Sequence, residues 1–142
     1  MDFDPLGNLN WLAVAVAALA YFAVGALWYA PPVFGRIWAD AGGFSLPERG
    51  ERPSAAIYVT PLIGSVLSSV ALGMLAEATG TDSIAEGIAL GLVIALGFAV
   101  PISLVTAQFE SQKPRAMTWG AVNAGYHVVG NLIAAIIIAT WR

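Results

Sequence analysis

WLAVAVAALAYFAVGALWYA, residues 11–30, is a run of twenty residues without one charge. About 20 apolar residues are what a helix needs to cross the hydrocarbon core of a bilayer. In lipid every backbone N–H and C=O must find its partner inside the segment, so an isolated strand is ruled out and a helix is the one state left. Three further stretches read the same way, at about 55–76 (AAIYVTPLIGSVLSSVALGMLA), 84–109 and 116–141. The composition agrees: the chain is 58% hydrophobic and 11% charged, with a mean hydropathy of +0.77. That leaves too few charges to clothe a soluble domain. The expected fold class is all-α, an integral membrane four-helix bundle forming a single domain over residues 1–142.

The segment before the first span, MDFDPLGNLN, is acidic rather than basic. With no small-residue cleavage site after the apolar run, the first span is expected to be a retained helix and not a signal peptide. Trp11 with Trp28 and Tyr29 bracket that span, and Trp119 with Trp141 bracket the fourth, as interfacial anchors do. Loop 31–53 carries Arg36, Arg49 and Arg52, and loop 110–115 carries Lys113 and Arg115. The N-terminal segment and the turn EATGTDS carry no lysine or arginine, and Arg142 stands alone at that end. The positive-inside rule then puts both basic loops in the cytoplasm and both termini outside.

Within loop 31–53, PPVFGRIWADAGG sets Phe34, Ile37, Trp38 and Ala41 on one helical face and Arg36 and Asp40 on another. This predicts a short interfacial helix between the first and second spans, ended by Gly42 and Gly43. Ser83 and Glu86 form a capping-box pattern that starts the third span. Pro61 and Pro101 are expected to bend their helices, with the Gly97–Pro101 stretch locally unwound.

Lipid tails give helices no hydrophobic reason to associate, so small residues and polar groups must hold a bundle together. Gly64 and Ser68 on the second span, Gly87 and Gly91 on the third and Gly130 on the fourth are the expected contacts, with an oligomer seam as the rival use for one of these rows.

The fourth span also holds a row of polar side chains. Asn123, His127 and Asn131 recur every four residues, on one face and about 6 Å apart along the axis. Left unpartnered in hydrocarbon each costs several kcal/mol, so the row must face protein or water. Thr60, Ser65, Ser68 and Ser69 on the second span, Ser103, Thr106 and Gln108 on the third, and Tyr21 and Tyr29 on the first offer partners. Three readings stand open. The row fixes helix packing; or it lines a polar cavity that binds or passes a small solute, with His127 as its titrating group; or His127 ligates a tetrapyrrole such as haem, which needs only one histidine.

Other classes find little support. Cysteine is absent and the nine Asp and Glu all lie in loops or at span ends. No catalytic residue, no enzyme activity and no metal site is therefore expected, and basic residues are too few for nucleic acid.

NWLAVAVAALAYFAVGALWYAPPVFGRIW (10–38), GFAVPISLVTAQFESQKP (97–114) and VNAGYHVVGNLIAAIIIATW (122–141) together resemble a membrane family, domain of unknown function 1761. The resemblance implies a small bacterial or archaeal four-helix membrane protein, hence a prokaryotic inner membrane location, and assigns no activity. It draws attention to Trp28 and Tyr29 at the end of the first span and to Asn123, Tyr126 and His127 on the fourth. The function expected is a membrane protein, embedded among lipids as a homo-oligomer, with an intramembrane polar site for a small solute at Asn123, Tyr126, His127, Asn131, Trp28 and Tyr29. The alternative is a structural or accessory subunit of a larger membrane complex, contacting a pigment or haem through His127.

Overall fold

The computed structural model describes residues 5–47, 51 and 54–141. Arg49, Arg52 and Arg142, on which the orientation argument leans, lie outside the described residues. A single turn, α1 (Pro5–Asn8), leads to α2 (Trp11–Trp28). A π-helical turn over Pro31–Gly35 feeds α3 (Arg36–Gly42), and α4 (Ala56–Thr79) follows. The third long helix is built from α5 (Ile84–Ile94), a π-helical turn over Ala95–Ala99, and α6 (Val100–Gln108). The last helix is α7 (Ala116–Thr140). Among the described residues there is no strand, and four helices are long and apolar enough to cross a membrane: Trp11–Trp28, Ala56–Thr79, Ile84–Gln108 and Ala116–Thr140.

Local chemistry sets the boundaries. Asn10 caps α2, its side-chain oxygen accepting from the Leu12 and Ala13 N–H groups at 3.1 Å each. The helix stops two residues short of Ala30 because Ala30 precedes a proline and is extended, with ψ 144°. Ser83 caps α5, and the Glu86 carboxylate reaches back to the Ser83 hydroxyl and the Asp82 N–H at 3.0 Å each. Gly43 (φ 75°) and Gly80 (φ 69°) end α3 and α4 in the left-handed region, where a side chain would be strained.

Both prolines sit inside helices, with different results. α4 runs unbroken through Pro61. Ahead of Pro101 the chain widens into the Ala95–Ala99 π turn instead of unwinding. The proline ring crowds the carbonyl four residues back, that of Gly97, and a wider turn absorbs the crowding without opening the helix.

α7 is the axis of the bundle, packing against α2, α4, α5, α6 and α3. Against α2 it runs antiparallel, pinned at one end by Asn10 Nδ2 donating to the Trp141 carbonyl at 3.1 Å and at the other by Trp28 Nε1 donating to the Val122 carbonyl at 3.0 Å. Between these ends, rings seat on glycines in alternation. The Tyr21 ring occupies the space a Cβ on Gly130 would need, the Tyr126 ring lies 3.2 Å from a Cβ placed on Gly25, and Trp28 lies 2.8 Å from one on Gly125.

On the other side of α7 the contact is backbone on backbone. A Cβ on Gly87 would come within 3.0 Å of Ile136 Cα, and one on Gly91 within 2.9 Å of Leu132 Cα. Gly64 differs: a Cβ there meets nothing within 4 Å, so no contact of this kind is made within the chain. Ser68 is half-buried, while its neighbour Ser69 is fully buried with an unpartnered hydroxyl. Every residue from Ser54 to Gly64 is exposed. α4 packs on α2 and α7, touches α5 lightly, and forms no packed interface with the Ala95–Gln108 stretch.

α3 lies across the start of α7, where the Arg115 N–H donates to the Ala41 carbonyl at 3.1 Å. Its packed face agrees with the spacing at three of four positions and departs from it at Ile37. Ala41 is buried, Phe34 and Trp38 half-buried, and Arg36 and Asp40 exposed, while Ile37 points out at 45% exposure and Gly35 and Ala39 are buried instead. The π turn adds a residue before the helix starts, which shifts the phase between Phe34 and the residues that follow.

Gly130→Ala is expected to cost about 1–3 kcal/mol, the usual range for overpacking a filled contact. Gly64→Ala is expected to stay within about 0.5 kcal/mol of wild type. Denaturant titration of both variants in mild detergent checks the contrast, and equal losses at both sites would contradict this packing.

Candidate functional site

The polar stripe of α7 is met by α2 alone. Tyr29 donates its hydroxyl proton to Asn123 Oδ1 at 2.8 Å, and the Tyr21 hydroxyl lies 2.7 Å from His127 Nδ1. Asn131 Nδ2 donates twice, to the Tyr21 hydroxyl at 3.0 Å and to the His127 carbonyl at 2.7 Å. Most of the other expected partners are occupied or turned away. Ser65 and Ser103 donate to carbonyls of their own helices, Leu62 and Ala99, at 2.8 Å each. Thr60, Thr106 and Gln108 are exposed.

These bonds favour one imidazole tautomer. The His127 carbonyl can only accept, so the Asn131 atom beside it must be the nitrogen. That nitrogen gives its second hydrogen to the Tyr21 oxygen, and among the described residues His127 Nδ1 is the one acceptor within reach of the tyrosine proton, which would otherwise be left unpaired. Neutral His127 therefore carries its own proton on Nε2. Among the described residues, neither His127 Nε2 nor Asn123 Nδ2 has a hydrogen-bond partner.

Burial along the same face is uneven. Gly120, Asn131, Ala134 and Ile138 share the inward side of α7 with Asn123 and His127 and are all buried. Asn123 and His127 are only half-buried, although the exposed Met117 and Ala121 mark a different side of the helix.

Tyr126 does not join the hydrogen-bonded row. Its buried ring stands 5.4 Å from that of Tyr21, 5.5 Å from Tyr29 and 4.7 Å from His127. Trp38 continues the ladder 4.7 Å from Tyr29, and Phe44 4.6 Å from Trp38. Trp28 stacks on Phe34 at 4.3 Å and is tied to the α7 backbone, so it walls the site without facing the row. Tyr21, Trp38 and Phe44 belong to this constellation but stand outside the residues that the spacing on α7 selects. For Tyr21 the signal was a mid-span hydroxyl that has to find a partner.

A separate shallow cavity of about 420 Å³ lies at the loop end, lined by residues 107–118 and remote from the row. Lys113 there pairs with Glu110 at 3.2 Å and sits 4.5 Å above the Trp119 ring. Among the described residues no group of three His, Cys, Asp or Glu is placed to hold a metal.

Fold and site together define an all-α protein of four membrane-length helices, with a polar stripe on the last one tied to tyrosines of the first. The chain belongs to the family described as Protein of unknown function (DUF1761), whose model matches residues 12–139. No curated protein and no solved structure matches it.

Because the chain holds one histidine, ring ¹⁵N labelling reports this site alone. Wild type is expected to show an unprotonated Nδ1 and a protonated Nε2, and Tyr21→Phe a mixture of tautomers with about 1–3 kcal/mol less stability. A protonated Nδ1 in wild type would contradict the relay.

Proposed function

We propose that this chain is a non-enzymatic protein of the prokaryotic inner membrane that binds or passes a small solute at the Asn123–His127 end of the stripe. Its basic loops lie in the cytoplasm and its termini outside, and it works as a homo-oligomer among membrane lipids. The observation that carries this reading is the Nε2–H group of His127, inward-facing, half-buried and without a partner. A polar group in hydrocarbon that only fixed packing would be paired on both sides, as the Asn131 amide hydrogens are. Trp28, Tyr29 and Tyr126 wall the site.

An accessory role in a larger complex has one observation in its favour, the first half of α4, which is exposed from Ser54 to Gly64. A tetrapyrrole bound through His127 fits less well. The Nδ1 lone pair is taken by Tyr21 and Nε2 carries a proton, so ligation requires the proton to move to Nδ1 and leaves the Tyr21 hydroxyl without its acceptor.

His127→Ala separates the readings. The solute-site reading expects the variant to fold, with stability within about 1 kcal/mol of wild type net of one hydrogen bond, and to lose solute binding or flux in proteoliposomes. Unfolding on this change supports packing. Unaltered co-purification with a larger assembly supports the accessory role.

A further inference from the structure

The half-buried pair at Asn123 and His127 raises the question of what reaches it, and from where. The pair offers hydrogen-bond donors, Nε2–H of His127 and the Nδ2 amide of Asn123, while the Nδ1 lone pair is taken by Tyr21 and Oδ1 already accepts from Tyr29. The buried face of α7 carries no charge near them. Such a site favours a neutral acceptor, a carbonyl oxygen above all, and holds no negative charge for a cation.

Access follows from the packing. On the side of Tyr126 the space between α2, α3 and α7 is filled by the ladder of Tyr21, Tyr126, Tyr29, Trp38 and Phe44. On the opposite side the first half of α4 is exposed from Ser54 to Gly64, touching α2 where Tyr58 meets Phe22 at 6.5 Å, and the Ala95–Gln108 stretch forms no packed interface with it. Leu62, Ile63, Leu96 and Phe98 are exposed on the two helices that border this gap. Both are within the segments long and apolar enough to span a membrane, so the gap opens toward lipid tails.

We infer that the site takes a neutral, lipid-soluble carbonyl compound, which enters sideways from the bilayer between the first half of α4 and the π-turned third span. This rests on the solute-site reading and narrows it to one chemical class and one route.

Full-length protein with ¹⁵N-labelled histidine, held in lipid nanodiscs, tests it with three probes. Benzophenone is lipid-soluble and has the carbonyl, diphenylmethane has its shape without the carbonyl, and acetamide has a carbonyl but prefers water. Benzophenone is expected to shift the His127 Nε2–H signal with saturation, and diphenylmethane to leave it in place. Irradiated benzophenone is expected to insert into residues 56–67 and 95–105. Equal shifts with diphenylmethane, or insertion confined to the loops, overturn the inference. A shift with acetamide but not benzophenone overturns it while leaving the solute site standing. No shift with any probe sinks both and leaves packing.

Discussion

One tyrosine hydroxyl holds the arrangement of the bundle. Tyr21 accepts from Asn131 and turns its proton to His127, and its ring fills the place of a Gly130 side chain. These conditions depend on one another. Only a glycine at 130 lets the ring lie flat enough against α7 for its oxygen to reach between residues 127 and 131. In lipid the alternative to this bond is a bare polar group, costing several kcal/mol. Polar pairing and close packing are thus one contact, and it sets the distance and register between the first and last helices. Asn10 on Trp141 and Trp28 on Val122 then hold the same register at the two ends.

Against that fixed pair the other helices are held unevenly. The third span closes on α7 through Gly87 and Gly91, where backbone meets backbone, and again through Gly120, where a Cβ would overlap Ala107. Between these seats lies the π turn ahead of Pro101. A turn that takes in an extra residue shifts the phase of every side chain after it. It therefore lets one helix present glycines to α7 early and Ala107 later. α4 has no second seat of this kind. Its small residue at 64 faces open space, and the residues before Ser65 are all exposed, with Tyr58 meeting Phe22 edge-on at 6.5 Å.

The four spans were legible because charge-free runs of bilayer length admit one secondary structure, and their starts at Asn10 and Ser83 were legible from capping chemistry. The row on α7 followed from spacing alone. Its partners did not, because spacing gives a face and not what the face meets. Six hydroxyl or amide residues on the second and third spans were equally plausible on composition, beside a half-buried Ser68, yet tyrosines of α2 took the row. Long aromatic side chains can reach across a helix pair that glycines hold close, whereas serines in apolar helices turn to their own carbonyls, as Ser65 and Ser103 do. The face of α3 was misjudged at Ile37 for a comparable reason: a π turn changes the phase, and nothing in a hydropathy pattern announces one.

On the proposed function, packing and binding divide the stripe between them. At Asn131 both amide hydrogens are bonded and the residue is buried, so that position is structural. At His127 and Asn123 one side of each group is bonded to a tyrosine and the other has no partner among the described residues. The bonded side has its own consequence for the free one. Tyr21 holds the ring in place and keeps the proton on Nε2, and Tyr29 holds the Asn123 oxygen so that its nitrogen faces outward. Donors held in this way need little reordering when an acceptor arrives, which is what lowers the cost of binding in a rigid site.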